Sequence, residues 1–272
     1  MKFRHTLAIL AFAPLLTGCG GGGSSSSGPS SAVVTYAVDG AETARLMSLA
    51  GQCAAGYANG GVTGVITVVG APGISPTTTV TVNGTTTTTT VNYGSGISSG
   101  GETISGSFTV VFNTANNTGT ITFTNFSVTT AANLETVAGT VDFVITPGSN
   151  GSNSEAVSNN LTVVDGGQTY RLVGTFTADS TTSSGLVEIP TADETLTAPQ
   201  GVLIETVNDL TFDPTTHHAD GGSIQSTYTP SESPIAISIL ITFSSQTPTN
   251  RMVGVSVDGS PSTQVQVPTS NL

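Results

Sequence analysis

SGSFTVVFNTANNTGTITFTNFSV, residues 105–128, is the stretch whose reading decides the fold. Phe108, Val110 and Phe112 stand on alternate positions against Thr109 and Val111, and Ile121 and Phe123 alternate with threonines. Side chains that alternate between apolar and polar fit a pleated strand with one face buried, and β-branched and aromatic residues suit that surface. Between the two runs, Asn117-Thr118-Gly119 reads as a turn, so the strands are antiparallel neighbours. The alternation slips by one position at Asn125-Phe126, which reads as a β-bulge.

The same grammar extends in both directions. Val141, Phe143 and Ile145 alternate with Asp142 and Val144, and Ile235, Ile237, Ile239, Ile241 and Phe243 alternate with Ala, Ser, Leu and Thr. Turn signals recur at Asn83-Gly84, Asp165-Gly166-Gly167 and Asp258-Gly259, and a second slip falls at Asn208-Asp209. A weak echo links SGSFTVVF, AGTVDFVI (138–145) and VGTFTA (173–178), whose glycines Gly106, Gly139 and Gly174 are 33 and 35 residues apart. That spacing is too loose for a solenoid and fits a meander of related hairpins. Before the strands, Leu46, Met47, Ala50, Cys53, Ala54 and Tyr57 recur at helical spacing, with Asp39 near the start and Asn59-Gly60-Gly61 as a stop. The expectation is one helix near 41–58 packed on strands that begin after Val62. The fold class is mainly β: an antiparallel meander forming a sandwich or a small soluble barrel. A transmembrane barrel is disfavoured by the absence of Trp and by the polar ending Thr-Ser-Asn-Leu.

The N-terminus has a different character. Lys2 and Arg4 precede an apolar run from Thr6 to Leu16, which reads as a secretory signal too short to span a bilayer. Leu16-Thr17-Gly18-Cys19 resembles the lipobox of bacterial lipoproteins. The resemblance implies that Cys19 becomes the first mature residue and carries a thioether-linked diacylglycerol, usually with a third acyl chain such as palmitate. Two or more chains give durable attachment where one gives marginal binding. Residues 20–31 are Gly/Ser-rich and read as a flexible tether of roughly 20 Å. The domain reading is therefore a signal peptide over 1–18, a lipidated cysteine and linker over 19–32, and one all-β domain over 33–272. From Val62 to about Asp213 the chain also resembles Gly/Ser-tethered all-β envelope lipoproteins, a likeness that implies no activity. Gly20 after the cysteine points to the outer membrane.

Charge narrows the classes of function. Without residues 1–18 the cations are Arg45, Arg171 and Arg251 against 17 acids, a net charge of −14. Such a chain is repelled by phosphate backbones and anionic headgroups, which argues against nucleic acid and leaves the lipid as the route to a membrane. Cys53 is the only other cysteine, so no disulfide framework is expected, and a small buried apolar role is its simplest reading.

Few residues offer chemistry. Gly96-Ile97-Ser98-Ser99-Gly100 matches the form of a nucleophile elbow, but its flanks are a loop and a strand where that motif needs strand and helix. His217 and His218 lie in FDPTTHHADGG with Asp213 and Asp220 nearby, the one place where weak metal binding or a carboxylate-oriented base could be assembled. Adjacent histidines diverge in an extended loop, so a solvated loop is the competing reading. The run TTTTTT at 85–90 reads either as a hydroxyl ladder facing glycan or ice, or as a plain exposed strand face. The expected function is a non-enzymatic binding or structural module of the cell envelope, without cofactor or metal, its partners being the membrane through its lipid and an envelope protein, glycan or lipid ligand. The alternative is a carrier holding an apolar ligand or lipid in a cavity lined by Phe108, Phe112, Phe123 and Phe143.

Overall fold

The computed structural model describes residues 29–70, 73–131, 134–182, 185–230 and 235–268. Cys19 and the signal and most of the linker assigned around it lie outside these residues.

Thirteen strands follow the helix α1 (Ser31–Val69) in a single antiparallel sheet whose spatial order is the order of the chain, β1 (Thr77–Asn83) to β13 (Thr263–Gln266). The sheet is open, with β1 and β13 each paired to one neighbour. The opening quotation becomes β3 (Glu102–Asn113) and β4 (Thr118–Thr129), with Phe108 opposite Phe123 and Val110 opposite Ile121. Asn117 closes the turn at φ 54, and Gly119 has already entered β4, where the Phe143 ring covers it. Both slips are irregular. Asn125 takes φ 47 where the β4 register shifts against β5 (Leu134–Pro147), and Asp209 takes φ 48 where β9 (Gly201–Phe212) loses register with β10 (Ala219–Pro230). At Asn83 the turn has two residues and Gly84 at φ 60, the geometry of a II′ hairpin into β2 (Thr86–Ser99).

The echoed glycines mark where the sheet bends. Gly106 and Gly139 lie on the inner face at φ 83 and 117, and a Cβ on either would stand 2.0 Å from a carbonyl oxygen of the next strand, Asn125 or Asn160. Only glycine lets neighbouring backbones approach this closely at positive φ. The bend wraps the sheet around α1. Gly40 meets Ile241 on β11 (Ile237–Thr242), and Arg45, five residues on, bonds Glu135 on β5. Six strand spacings would separate those contacts by about 29 Å in a flat sheet, against about 8 Å of helix rise.

The helix departs from expectation in length. It starts at Ser31, where the Ser30 hydroxyl accepts the Val33 N–H at 3.4 Å, and extends to Val69. Asn59-Gly60-Gly61 marks a kink inside it, with Gly61 at φ 58 and ψ −145, and residues 62–69, expected to open the strands, form a short returning helical segment. The two halves cross where Gly56 and Gly64 leave room for each other's backbone. Sequence periodicity finds the middle of the helix, although no residue of 36–55 is exposed, and misses its ends at 31–40 and 59–69. A helix buried all round shows no polar stripe. Cys53 is fully buried within it, and burial pushes its thiol up to about 12, as suits a packing residue.

Candidate functional site

The histidine loop joins β9 to β10 and is built as a turn. Asp213 Oδ1 accepts the N–H groups of Thr215 at 2.9 Å and Thr216 at 2.7 Å, and the Thr216 hydroxyl at 3.0 Å. Burial pushes Asp213 upward, but these donors and nearby His217 outweigh it and hold the carboxyl below its ordinary range. His217 takes φ 59, its N–H donates to the Asp213 carbonyl at 2.8 Å, and its own carbonyl accepts the Ser48 hydroxyl at 3.0 Å from the helix. Burial lowers His218, with Asp213 opposing. Asp220 turns away and accepts the Thr211 hydroxyl at 2.7 Å. Among the described residues no three His, Cys, Asp or Glu side chains come together as a cation site. The loop anchors the helix to one rim of the sheet. The serines of the elbow-like motif end in a hairpin, Ser98 sharing a 2.7 Å hydroxyl contact with Thr103, and no helix follows.

A polar layer lies between α1 and the sheet, where sequence reading placed nothing. Arg45 grips Glu42 through Nη2 at 2.6 Å and Nε at 3.0 Å, and reaches Glu135 through Nη1 at 2.9 Å. Burial opposes the Arg45 charge, but Glu135 and Glu42 hold it firmly protonated; burial raises Glu135 while Arg45 pulls it back. Beside this triad runs a lateral row: Ser226 on β10, Glu205 on β9, Glu194 on β8 (Gly185–Ala198), Gly174 on β7 (Gln168–Thr181) and Asn159 on β6 (Ser152–Asp165), each opposite the next. Gly174 has no side chain, and the Glu194 carboxyl lies over it to accept Asn159 Nδ2 at 2.9 Å. Glu205 accepts Ser226 Oγ at 3.1 Å, and Glu155 on β6 accepts Ser180 Oγ at 2.7 Å. Asp39 takes both its bonds from the Gln200 amide, at 2.6 and 2.5 Å.

Burial is the first cause of every carboxyl shift here. It pushes Glu205 and Glu194 up to about 8, and Glu155 and Asp39 up to about 7, with the hydroxyl and amide donors working against it. Each of these glutamates receives its hydrogen bonds from neutral hydroxyl or amide donors and not from a cation, so burial is left to favour the uncharged acid. One sequence signal could have exposed this layer. Glu194 is in phase with Ala192 and Leu196, and Glu205 with Leu203 and Val207, so strict alternation already turns both carboxylates inward.

The outer face is the accessible one. Across β1 to β5, Thr79, Thr90, Thr109, Thr122 and Thr140 stand side by side. The run at 85–90 is therefore split: Thr88 and Thr90 face outward, while Thr89 points in and is 5% exposed. A parallel row, Thr120, Asp142, Ser158, Thr175, Asp193 and Thr206, crosses β4 to β9. These side chains line an open groove of about 960 Å³, with Asp142 and Asp193 three strands, roughly 14 Å, apart. Asp142 is oriented by the Thr120 hydroxyl at 2.5 Å.

Where an apolar ligand was expected on the inner face, aromatic rings meet one another and the helix residue Tyr57. Tyr57 of the helix lies 4.6 Å from Phe112 and 5.4 Å from Phe143 between ring centroids, and Phe108 lies 6.0 Å from Phe123. The four phenylalanines form two groups: Phe112 and Phe143 pack with Tyr57, and Phe108 and Phe123 pack with each other and Phe126. The chain matches no family model, no curated protein and no solved structure.

Proposed function

We propose that this chain is a lipid-anchored, non-catalytic binding module of the cell envelope, held through Cys19 and presenting the outer face of its sheet. The observation that carries the reading is the groove over β2 to β9, lined by hydroxyls and two carboxylates set among apolar side chains such as Val111, Val144 and Ala156, and open to solvent. Its chemistry suits an extended polar partner that donates hydrogen bonds or positive charge, such as a glycan strand or a basic peptide segment. The lipobox resemblance and the Gly/Ser tether support the anchor, since they would hold the domain just off a bilayer with this face free. The polar groups with the strongest perturbation lie beneath α1, shut from any substrate, which supports a role for them in the fold and not in turnover. A carrier function is less favoured, because the aromatic side chains that would line its cavity are in mutual contact.

The test uses the tagged full chain, gently solubilised from membranes. Mass spectrometry should find an acylated Cys19 at the N-terminus, and Cys19→Ser should release the protein from the membrane fraction. Proteomic and glycan analysis of copurifying material should find a component lost in the Asp142→Lys, Asp193→Lys variant, which keeps its anchor. An unmodified N-terminus beyond Cys19 overturns the anchor, and an identical copurifying set in wild type and groove variant overturns the binding face.

A further inference from the structure

The edge strand β1 is the least satisfied element of the fold. All seven of its residues, TTTVTVN, are exposed, and Val80 and Val82 are 59% and 67% accessible although they face the inner side of the sheet. The pairing of Asn83 with Thr86 around the two-residue turn makes that pair the hydrogen-bonded one. Alternation along an antiparallel strand then leaves the N–H and C=O of Thr78, Val80 and Val82 pointing away from β2. A flat edge of this kind is normally blunted by lysine, proline, a bulge or a covering loop. Among the described residues β1 carries none of these, and residues 46–101 have no Asp, Glu, Lys or Arg in a chain of net charge −12.

We infer that β1 is a homodimerisation edge that pairs antiparallel with β1 of a second copy about a twofold axis at Val80. The sequence of the strand fits itself in that register. Val80 meets Val80, Thr78 meets Val82, and the outward N–H and C=O groups of the three residues meet their counterparts, forming about six hydrogen bonds. On the outer face Thr79 meets Thr81 and Thr77 meets Asn83, hydroxyl and amide against hydroxyl. The inner-face valines of the two copies become neighbours and cover one another. Because the axis stands perpendicular to the sheet, both copies keep their helices on the same side and form an isologous, closed pair. The absence of charge matters for the choice of a second copy as occupant: two strongly anionic bodies approach here through their longest uncharged segment, so like-charge repulsion is weakest where contact is made.

The test measures the mass of the full chain, purified in mild detergent, by analytical ultracentrifugation across a concentration series, with far-UV circular dichroism to verify folding. The wild type should reach twice the mass of one chain. Val80→Pro removes an outward N–H without touching the β1–β2 ladder, and Val80→Lys places a charge opposite its own copy; both should sediment as monomers with unchanged strand signal. In intact membranes, Val80→Cys treated with a short bismaleimide should give a dimer band, whereas Val202→Cys on a central strand should not. A wild type that stays monomeric throughout, open polymers beyond the dimer, a dimer that persists in both variants, or a Val80→Cys chain that fails to cross-link would each overturn the inference.

Discussion

The β1–β2 hairpin and the central strands β6 to β9 share Thr, Val and Asn, to which the central strands add Leu, Phe, Asp and Glu, and the two regions meet opposite conditions. β1 is exposed along its whole length, whereas β8 and β9 alternate buried and exposed residues almost without fault. The difference is what lies against the inner face. Residues 36–55 of α1 occupy the curl formed by β5 to β13, so each inward side chain there finds a partner, and even carboxyls are taken in. At β1 the inward valines Val80 and Val82 stay largely exposed. β-propensity alone thus makes a strand, but the fate of its faces is decided by the neighbour supplied from elsewhere in the chain.

The largest expected effect breaks the well-covered side of this comparison. Arg45→Met leaves Glu42 and Glu135 buried without their cation and should cost about 3–5 kcal/mol in urea unfolding, because stripping one partner from a buried ion pair exposes the other to full desolvation. If the loss is under about 1 kcal/mol, the triad is not what holds the helix in place.

Next comes pH. Glu155, Glu194, Glu205 and Asp39 have folded-state values raised by burial to about 7 or 8, so between the ordinary carboxyl range and those values the native state binds more protons than the unfolded one. Stability is then full below about pH 4 and falls as pH rises toward 8, by up to about 1.4 kcal/mol per pH unit for each group that titrates. Denaturant midpoints between pH 5 and 9 check this, and Glu205→Gln should flatten the slope. A slope of opposite sign would mean that these carboxyls are ionised in the fold.

A smaller effect sharpens the contrast directly. In native-state hydrogen exchange, amides of β6 to β8 should open only with global unfolding, while those of β1 that face away from β2 exchange near the rate of free chain unless the edge is paired. The smallest is at the outer groove, where Asp142→Asn and Asp193→Asn should each change stability by less than about 0.5 kcal/mol while altering binding.

Much of this was legible beforehand for a physical reason. Alternation of Phe108, Val110 and Phe112 sets a face, Gly84 and Gly166-Gly167 set tight turns, and the slips at Asn125 and Asp209 set bulges, since each depends only on neighbours in the chain. The candidate site fared differently. His217, His218, Asp213 and Asp220 stood out because titratable residues are scarce, but in the fold His217 and Asp213 brace a turn through backbone bonds and Asp220 faces Thr211. The carboxyls with strongly perturbed environments are single residues on the helix and on separate strands, and register is what sets Glu194 beside Glu205.

By itself, then, the sequence determined the local conformations: a strand-rich chain, its hairpins, its bulges and the presence of an N-terminal helix, all fixed by interactions within a few residues. The tertiary structure decided how far the helix runs, that the sheet curls around it through inner-face glycines such as Gly106 and Gly139, and which acids lose their water. Those outcomes depend on contacts between residues about 50 to 160 positions apart, such as Thr43 with Glu205 and Arg45 with Glu135, which no local pattern encodes.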